Sequence, residues 1–345
     1  YEIYMGDWSS DVCSSDPWKG QGSIAAADWP ACQVAISDIE TGEIFAFSHD
    51  GHFRRRLFMP GRGAAGRTWL GSLTWQGDSL LLVADWSRGA ALLIDTLGRS
   101  VGHFSLPKLS DSLAPAHHLA AGPMGFVADQ WFSTRIQTWS GNWVERDLSP
   151  IILMDMAGTI HHSIGRLLAA PGDYLVAALN RGFLQWTSDT LWFGRQADAV
   201  IQGYYLGPDE MKVARTQSPD VELRPALLRP IASPREIRPR GATRWAPIYE
   251  VQLTAFAARA REFALGQSGE PPDTLTGVHR RTVLALWNRA SGDIALRGVE
   301  GEIRSLALIG GHVFLTTASP EPSAGRLALH ATLPETHAVV SRCSE

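Results

Sequence analysis

Apolar residues in this chain fall in short runs bounded by Gly, Pro, Asn and Asp, and the runs pair off around tight turns. IFAFSHDGHFRRRLF, ALLIDTLGRSVGHF, IILMDMAGTIHHSI and LALWNRASGDIALRG are the clearest pairs, turning at Gly51, Gly98, Gly158 and Gly292. Weaker copies turn near Gly207-Pro208 and Leu333-Pro334. Each reads as a β-hairpin, and a hairpin that recurs at near-constant spacing marks a repeat, in which no unit buries its apolar face alone.

Turn-to-turn spacings are 47, 60, 49 and 85 residues as far as Gly292. The long interval holds 216–247, TQSPDVELRPALLRPIASPREIRPRGATRWAP, with six prolines in 32 residues. Proline fixes φ and removes the backbone donor, so this stretch is no central strand and reads as an insertion between units. Subtracting it leaves 53 residues, inside the repeat range.

Further strand candidates precede the hairpins: Leu73–Trp75 and Ser79–Ala84, Leu119–Ala120 and Gly125–Asp129, Phe183–Trp186 and Thr190–Phe193, Ile303–Ile309 and His312–Thr317. The segment 249–255, YEVQLTA, alternates with period two, while 256–265 is open to strand or helix. Four short strands per repeat with glycine turns is the plan of a β-propeller blade. The chain is therefore expected to be all-β, with six four-stranded blades and seven as the alternative count.

The run from Ile44 to Leu106 carries Val83-Ala84-Asp85 at a strand end and Asp95-Thr96-Leu97-Gly98 in a turn. Val127-Ala128-Asp129 and Asp155-Met156-Ala157-Gly158 repeat the pair. In these motifs the chain resembles six-bladed propellers related to NHL-repeat proteins, including uncharacterised bacterial members. LALWNRASGDIALRGVEG would also suit a WD-repeat blade. The resemblance implies an exported, extracytoplasmic protein; most such family members have no assigned activity.

Residues 1–16, YEIYMGDWSSDVCSSD, differ in character from the rest and resemble the in-frame translation of a sequencing-library adapter; a Ser-rich natural terminus is the alternative. Setting them aside leaves 17–345 as one propeller domain carrying the 216–247 insertion. It also removes four of the 35 acids, so 31 acids balance 31 bases. That balance argues against nucleic acid, which needs a net basic face. The run Arg54-Arg55-Arg56 reads as a solvated edge that discourages strand pairing. No run of eighteen apolar residues occurs, so no membrane span is expected. Cys32 and Cys343 lie near opposite ends, which a closed ring brings together. A disulfide between them and two free thiols are both open.

Candidate chemistry is sparse. Asp85 and Asp129 hold equivalent places, each close to a tryptophan, Trp86 or Trp131. Carboxylates repeated around an axis could converge on Ca²⁺, which takes about six to eight oxygens; alternatively each accepts backbone N–H bonds in the turn after its strand. Asn180 and Arg195 are the nearest counterparts in the next unit, and Arg181 and Arg195 suit anion recognition. His118, in PAHHL, lies where the chain enters the third unit. Adjacent histidines, 117–118 and 161–162, point to opposite sides of a strand and cannot easily grip one ion. Gly61–Gly66, GRGAAG, fits a dinucleotide loop but follows a proline and precedes strand-like sequence, so it reads as a connector. Most of the twelve tryptophans after residue 16 are expected in the core, with Trp139 and Trp143 in TWSGNWVE as the exposed candidates for stacking or partner contact. No nucleophile elbow, H-E-x-x-H, C-x-x-C or P-loop occurs.

The sequence is best read as a monomeric, non-catalytic binding or scaffold propeller without a cofactor. A small molecule, glycan or protein would bind at the axial funnel and the loops of one face. Asp85, Trp86, His118, Asp129, Trp131, Arg181 and Arg195 are the expected contacts. The rival is a Ca²⁺-dependent hydrolase, lactonase-like, or a lyase, with Asp85 and Asp129 on the ion and His118 as base.

Overall fold

The computed structural model describes residues 24–26, 33–38, 41–48, 53–59, 70–77, 79–85, 87–106, 118–125, 127–130, 135–137, 143–145, 151–166, 180–196, 199–206, 219–223, 252–259, 262–269, 281–309, 312–318 and 326–332. Residues 1–16, Cys32, Gly61–Gly66, Trp86, His117, Trp131, Trp139 and Cys343 lie outside the described residues.

The first sheet contains β1 (Ile24–Ala26), β2 (Gln33–Ser37), β3 (Ile44–Ser48) and β4 (Phe53–Phe58). The second contains β5 (Leu70–Gln76), β6 (Leu80–Asp85), β7 (Ala90–Asp95) and β8 (Ser100–Ser105). The third is built from β9 (Ala120–Ala121), β10 (Val127–Gln130), β13 (Ile151–Met154) and β14 (Ile160–Ile164). Between its second and third strands, β11 (Arg135–Gln137) and β12 (Trp143–Glu145) form a separate hairpin. The fourth sheet is β15 (Gly182–Thr187), β16 (Thr190–Arg195), β17 (Ile201–Tyr205) and β18 (Val221–Leu223). The fifth is β19 (Gln252–Arg259), β20 (Glu262–Ser268), β21 (Arg281–Asn288) and β22 (Ile294–Glu300). The sixth has three strands among the described residues, β23 (Glu302–Ile309), β24 (His312–Ala318) and β25 (Arg326–Thr332). All strand pairs are antiparallel.

Each sheet packs against the next, mainly through its first strand, and β1 packs against β23 and β24, so the sixth sheet meets the first. That closure makes the molecule a β-propeller, five of its sheets four-stranded, with β1, β5, β9, β15, β19 and β23 nearest the axis. The core lies between the sheets. Leu82, Ala84 and Phe104 share one cluster with Val127 and Met154 of the third sheet. Trp192 and Ile201 share another with Phe256 and Phe263 of the fifth. Both faces of a middle strand are thus apolar, which is why β3 is buried along its whole length.

The predicted hairpins at Gly98, Gly158 and Gly292 join third to fourth strands, the outermost pair of a blade, and those glycines take φ of 86°, 81° and 80°. β3 and β4, which flank Gly51 in sequence, pair in the same way, while Gly51 itself, Gly207-Pro208 and Leu333-Pro334 lie outside the described residues. Where helix stayed open at 256–265, the chain forms the β19–β20 hairpin. Phe256 and Ala258 face the fourth sheet and Ala255 and Ala257 the sixth, and a strand buried on both sides loses the period-two signal. Within 216–247, Val221–Leu223 forms the edge strand of the fourth sheet. The Arg54–Arg56 edge is only partly a solvated one: Arg55 Nη2 donates to the Thr96 carbonyl of the next sheet, and Arg56 Nε lies 3.4 Å from Glu43 Oε1. Among the described residues no helix is long and apolar enough to cross a membrane.

Candidate functional site

The ring has two unlike ends. One, called upper here, is where first strands begin, second strands end and third strands begin. Every connection of ten residues or more leaves from this end except 206–220; they are 59–69, 106–119, 165–181, 224–251 and 269–280. The β11–β12 hairpin interrupts another upper connection. Long connections on a rigid scaffold are where binding residues concentrate.

At the upper end each second strand has, within one residue of its end, a buried polar residue in an equivalent place: Asp38, Asp85, Asp129, Arg195, Gln267 and Thr317. The alternation of side chains along a strand fixes the side each occupies. Leu81 and Val83 pack with Ala46 and Leu57 of the preceding sheet, so Asp85 faces that way. Val127 packs with Leu82 and Phe104, placing Asp129 against the second sheet. Leu191 and Phe193 do the same with Ile151 and Leu153 ahead of Arg195. Phe263 and Leu265 meet Trp192 before Gln267, and Val313 and Leu315 meet Leu284 before Thr317. Ala35 packs toward the second sheet, so Asp38 turns away from it. Each stripe of apolar residues thus ends on one polar side chain at the mouth of a crevice between sheets.

Asp85 is anchored on one side only. Its Oδ1 accepts from the Arg88 amide at 3.2 Å and from Ser87 Oγ, while Oδ2 makes no hydrogen bond and lies 3.6 Å from Arg88 Nε. Asp38 Oδ1 likewise accepts from the Thr41 amide at 3.2 Å. Both segments read Asp-x-x-x-Gly, and Gly42 and Gly89 take φ of 70° and 59° to close the turn. The Asx-turn reading therefore describes one oxygen of Asp85. Opposite Gln267 and Thr317, β19 and β23 carry bulges, as β5 does next to Asp85. Bulges re-aim side chains near binding sites.

The arginines differ from one another. Arg195 is buried at the end of β16, while Arg181 is exposed just before β15. The Gln196 amide donates to the Arg181 carbonyl at 2.8 Å, and the Leu253 amide donates to Gln196 O at 2.9 Å, tying the fourth sheet to the fifth. Burial pushes the Tyr204 hydroxyl well above its usual range, and the positive charge of Arg195 works against that rise. His118 is half-buried, its ring edge-on to Phe183 of the next sheet at 5.8 Å. His118, Arg181 and Arg195 therefore lie toward the junction of the third and fourth sheets, while Asp129 faces the second sheet and Asp85 the first. Asp85 and Asp129 face different crevices. Among the described residues no group of three or more His, Cys, Asp or Glu is placed to hold a metal ion. The sequence reading missed Asp38, Gln267 and Thr317. Only the shared Asp-x-x-x-Gly pattern could have revealed the first.

No protein-family model matches the chain, and no curated protein matches it in sequence. Solved structures do. Virginiamycin B lyase from Staphylococcus aureus, in selenomethionine-substituted form, aligns with a TM-score of 0.47 at 14% identity, over 92% of this chain and 96% of that one. A protein of Bacteroides fragilis described as exported gives 0.50 at 8%, over 92% and 84%. A DUF4221 family member from Bacteroides vulgatus gives 0.52 at 8%, over 91% and 92%. At such identities the likeness extends to architecture alone, and the chain is a β-propeller.

Proposed function

We propose that the chain is a non-catalytic binding propeller of six blades, related to the NHL type, with the three-stranded sheet as the sixth. It takes a small molecule, glycan or protein segment at the upper end. One observation carries this reading: the end with nearly all the long connections is also the end where every second strand has a buried polar residue at or next to its last position. Burying six polar side chains costs stability unless they are used, and the opposite end has no such ring among the described residues. Arg181 and Arg195 would meet anionic groups, Asp85 and Asp129 donors, and His118 either. Trp86, Trp131, Trp139 and Trp143 belong to the same upper connections in sequence. Export agrees with the description of the Bacteroides fragilis protein.

A thermal-shift screen of monosaccharides, amino acids, dicarboxylates, nucleotides and short peptides tests the reading. At least one compound should raise the melting temperature by roughly 2–4 °C, the size of about 1 kcal/mol for a long domain. Arg181→Glu or His118→Ala should abolish the rise. No responding compound, or a response indifferent to both variants, would overturn the proposal.

A further inference from the structure

The outermost strand of a blade is a sheet edge, and an edge offers a row of unpaired N–H and C=O groups to any extended chain that reaches it. Most fourth strands here are protected. β4 holds three arginines and pairs with β3 through two register shifts, while β8 and β14 pair through one shift each. β18 is only three residues long. β22 has none of these devices. It runs for seven residues, IALRGVE, without proline or lysine, and pairs with β21 at every position without a shift. Among the described residues it is the free edge of the fifth sheet. Ile294 and Leu296, 44% and 54% exposed, lie on its face toward the fourth sheet, as do their β21 partners Trp287 and Ala285. Arg297 and Val299 lie on the other face, where Val299 and the Arg297 partner Leu284 join the core shared with the sixth sheet. Arg297 Nη1 is closed to solvent there and has no hydrogen-bond partner. Beside it, a Cβ on Gly298 would meet nothing within 4 Å.

Independently of the upper end, we infer that β22 is a docking edge for an extended segment of another protein, which adds to the fifth sheet as a further antiparallel strand. The segment reads aromatic, acidic, aliphatic where it passes Gly298, Arg297 and Leu296. Strand addition supplies backbone hydrogen bonds, and the alternating side chains select the sequence. Each residue of an antiparallel neighbour lies about 5 Å from the one opposite and shares its face. A carboxylate opposite Arg297 therefore meets the unmatched guanidinium nitrogen, in a charge-assisted bond of the stronger kind. An aromatic ring opposite Gly298 fills the space left by the missing side chain, as rings do over edge glycines. An aliphatic residue opposite Leu296 covers its exposed side chain, and a base opposite Glu300 completes the match. A second copy of this chain suits the edge less well. Paired through the same seven residues about their centre, Arg297 would face Arg297, like charge directly against like.

The test uses the full chain and a labelled, acetylated heptapeptide, Lys-Thr-Tyr-Glu-Val-Thr-Val, titrated by fluorescence anisotropy. Laid antiparallel on β22, it sets lysine opposite Glu300, tyrosine opposite Gly298, glutamate opposite Arg297 and valine opposite Leu296. Wild type should bind it, and should bind the peptide with lysine in place of that glutamate roughly tenfold more weakly. Arg297→Glu should reverse the preference, which a merely structural arginine would not do. Only alternate N–H groups of an added strand point at the edge, so N-methylating one alternate set of peptide amides should abolish binding and the other set spare it. Leu296→Lys should remove binding while melting within about 2 °C of wild type, because the position is exposed. Arg181→Glu, at the upper end, should leave peptide affinity unchanged. No binding to wild type, equal affinity for the two peptides, or equal effects of the two methylated sets would overturn the assignment. So would a concentration-dependent dimer in sedimentation that Leu296→Lys dissolves, which would make a second copy the occupant.

Discussion

The backbone of Gly98 lies directly against the carbonyl of Leu57, so close that a Cβ on Gly98 would fall inside the Leu57 oxygen. Gly98 sits in the outer turn of the second sheet and Leu57 in the outer strand of the first. One blade further on the relationship repeats: a Cβ on Gly158 would come within 2.7 Å of the Ser105 carbonyl. Asp95 and Asp155 hold the two turns identically, each accepting from backbone amides two and four residues on. The outer hairpin of a blade is thus a bracket on its predecessor.

The bracket makes a differential prediction. Gly98→Ala places a side chain in left-handed backbone and against Leu57, so it should cost about 2–5 kcal/mol. Gly292→Ala takes the same backbone strain at φ 80° but meets nothing within 4 Å. It should cost only about 1–2 kcal/mol. Urea unfolding of both variants checks this, and equal losses would remove the inter-blade contact from the explanation.

Near the axis, side chains bridge sheets to backbone. Ser72 Oγ accepts from the Leu119 amide at 2.7 Å, Thr74 Oγ1 from the Ala121 amide at 3.2 Å, and Gln76 Nε2 donates to Gly122 O at 2.8 Å. Ser72→Ala leaves the donor of a buried residue unmet and should cost about 1–3 kcal/mol. A loss under a few tenths in chemical unfolding would show that water replaces the hydroxyl.

The Asp155 turn should respond to pH. The hydrogen bond from His161, at 2.9 Å, and those from the Thr159 and Ala157 amides lower the Asp155 carboxyl to about 2. Its folded value lies below the ordinary 3.8, so its contribution is complete above about pH 4 and is lost as pH falls toward 2. Wild type should melt above Asp155→Asn at pH 5 and above, with the gap closing between pH 4 and pH 2. A gap that does not change over that range would contradict the assigned hydrogen bonds.

Much of the architecture was legible because glycine turns and Asp-x-x-Gly signatures are local. The hairpins at Gly98, Gly158 and Gly292 needed no tertiary information. The 256–265 segment was not legible, because strands buried on both faces lose their alternation. The candidate site was half legible. Asp85 and Asp129 share a Val-Ala-Asp motif, but the equivalent places in other sheets hold Arg195, Gln267 and Thr317. A position defined by geometry and filled with different chemistry leaves no motif to read.

Everything said of the upper end depends on six sheets closing into one ring. Small-angle X-ray scattering of the protein tests that most directly. A closed propeller of this length should give a radius of gyration of about 20 Å, the value for a compact chain of its size, with a single symmetric distance distribution. A markedly larger radius with the long tail of an open, elongated stack of sheets would contradict it.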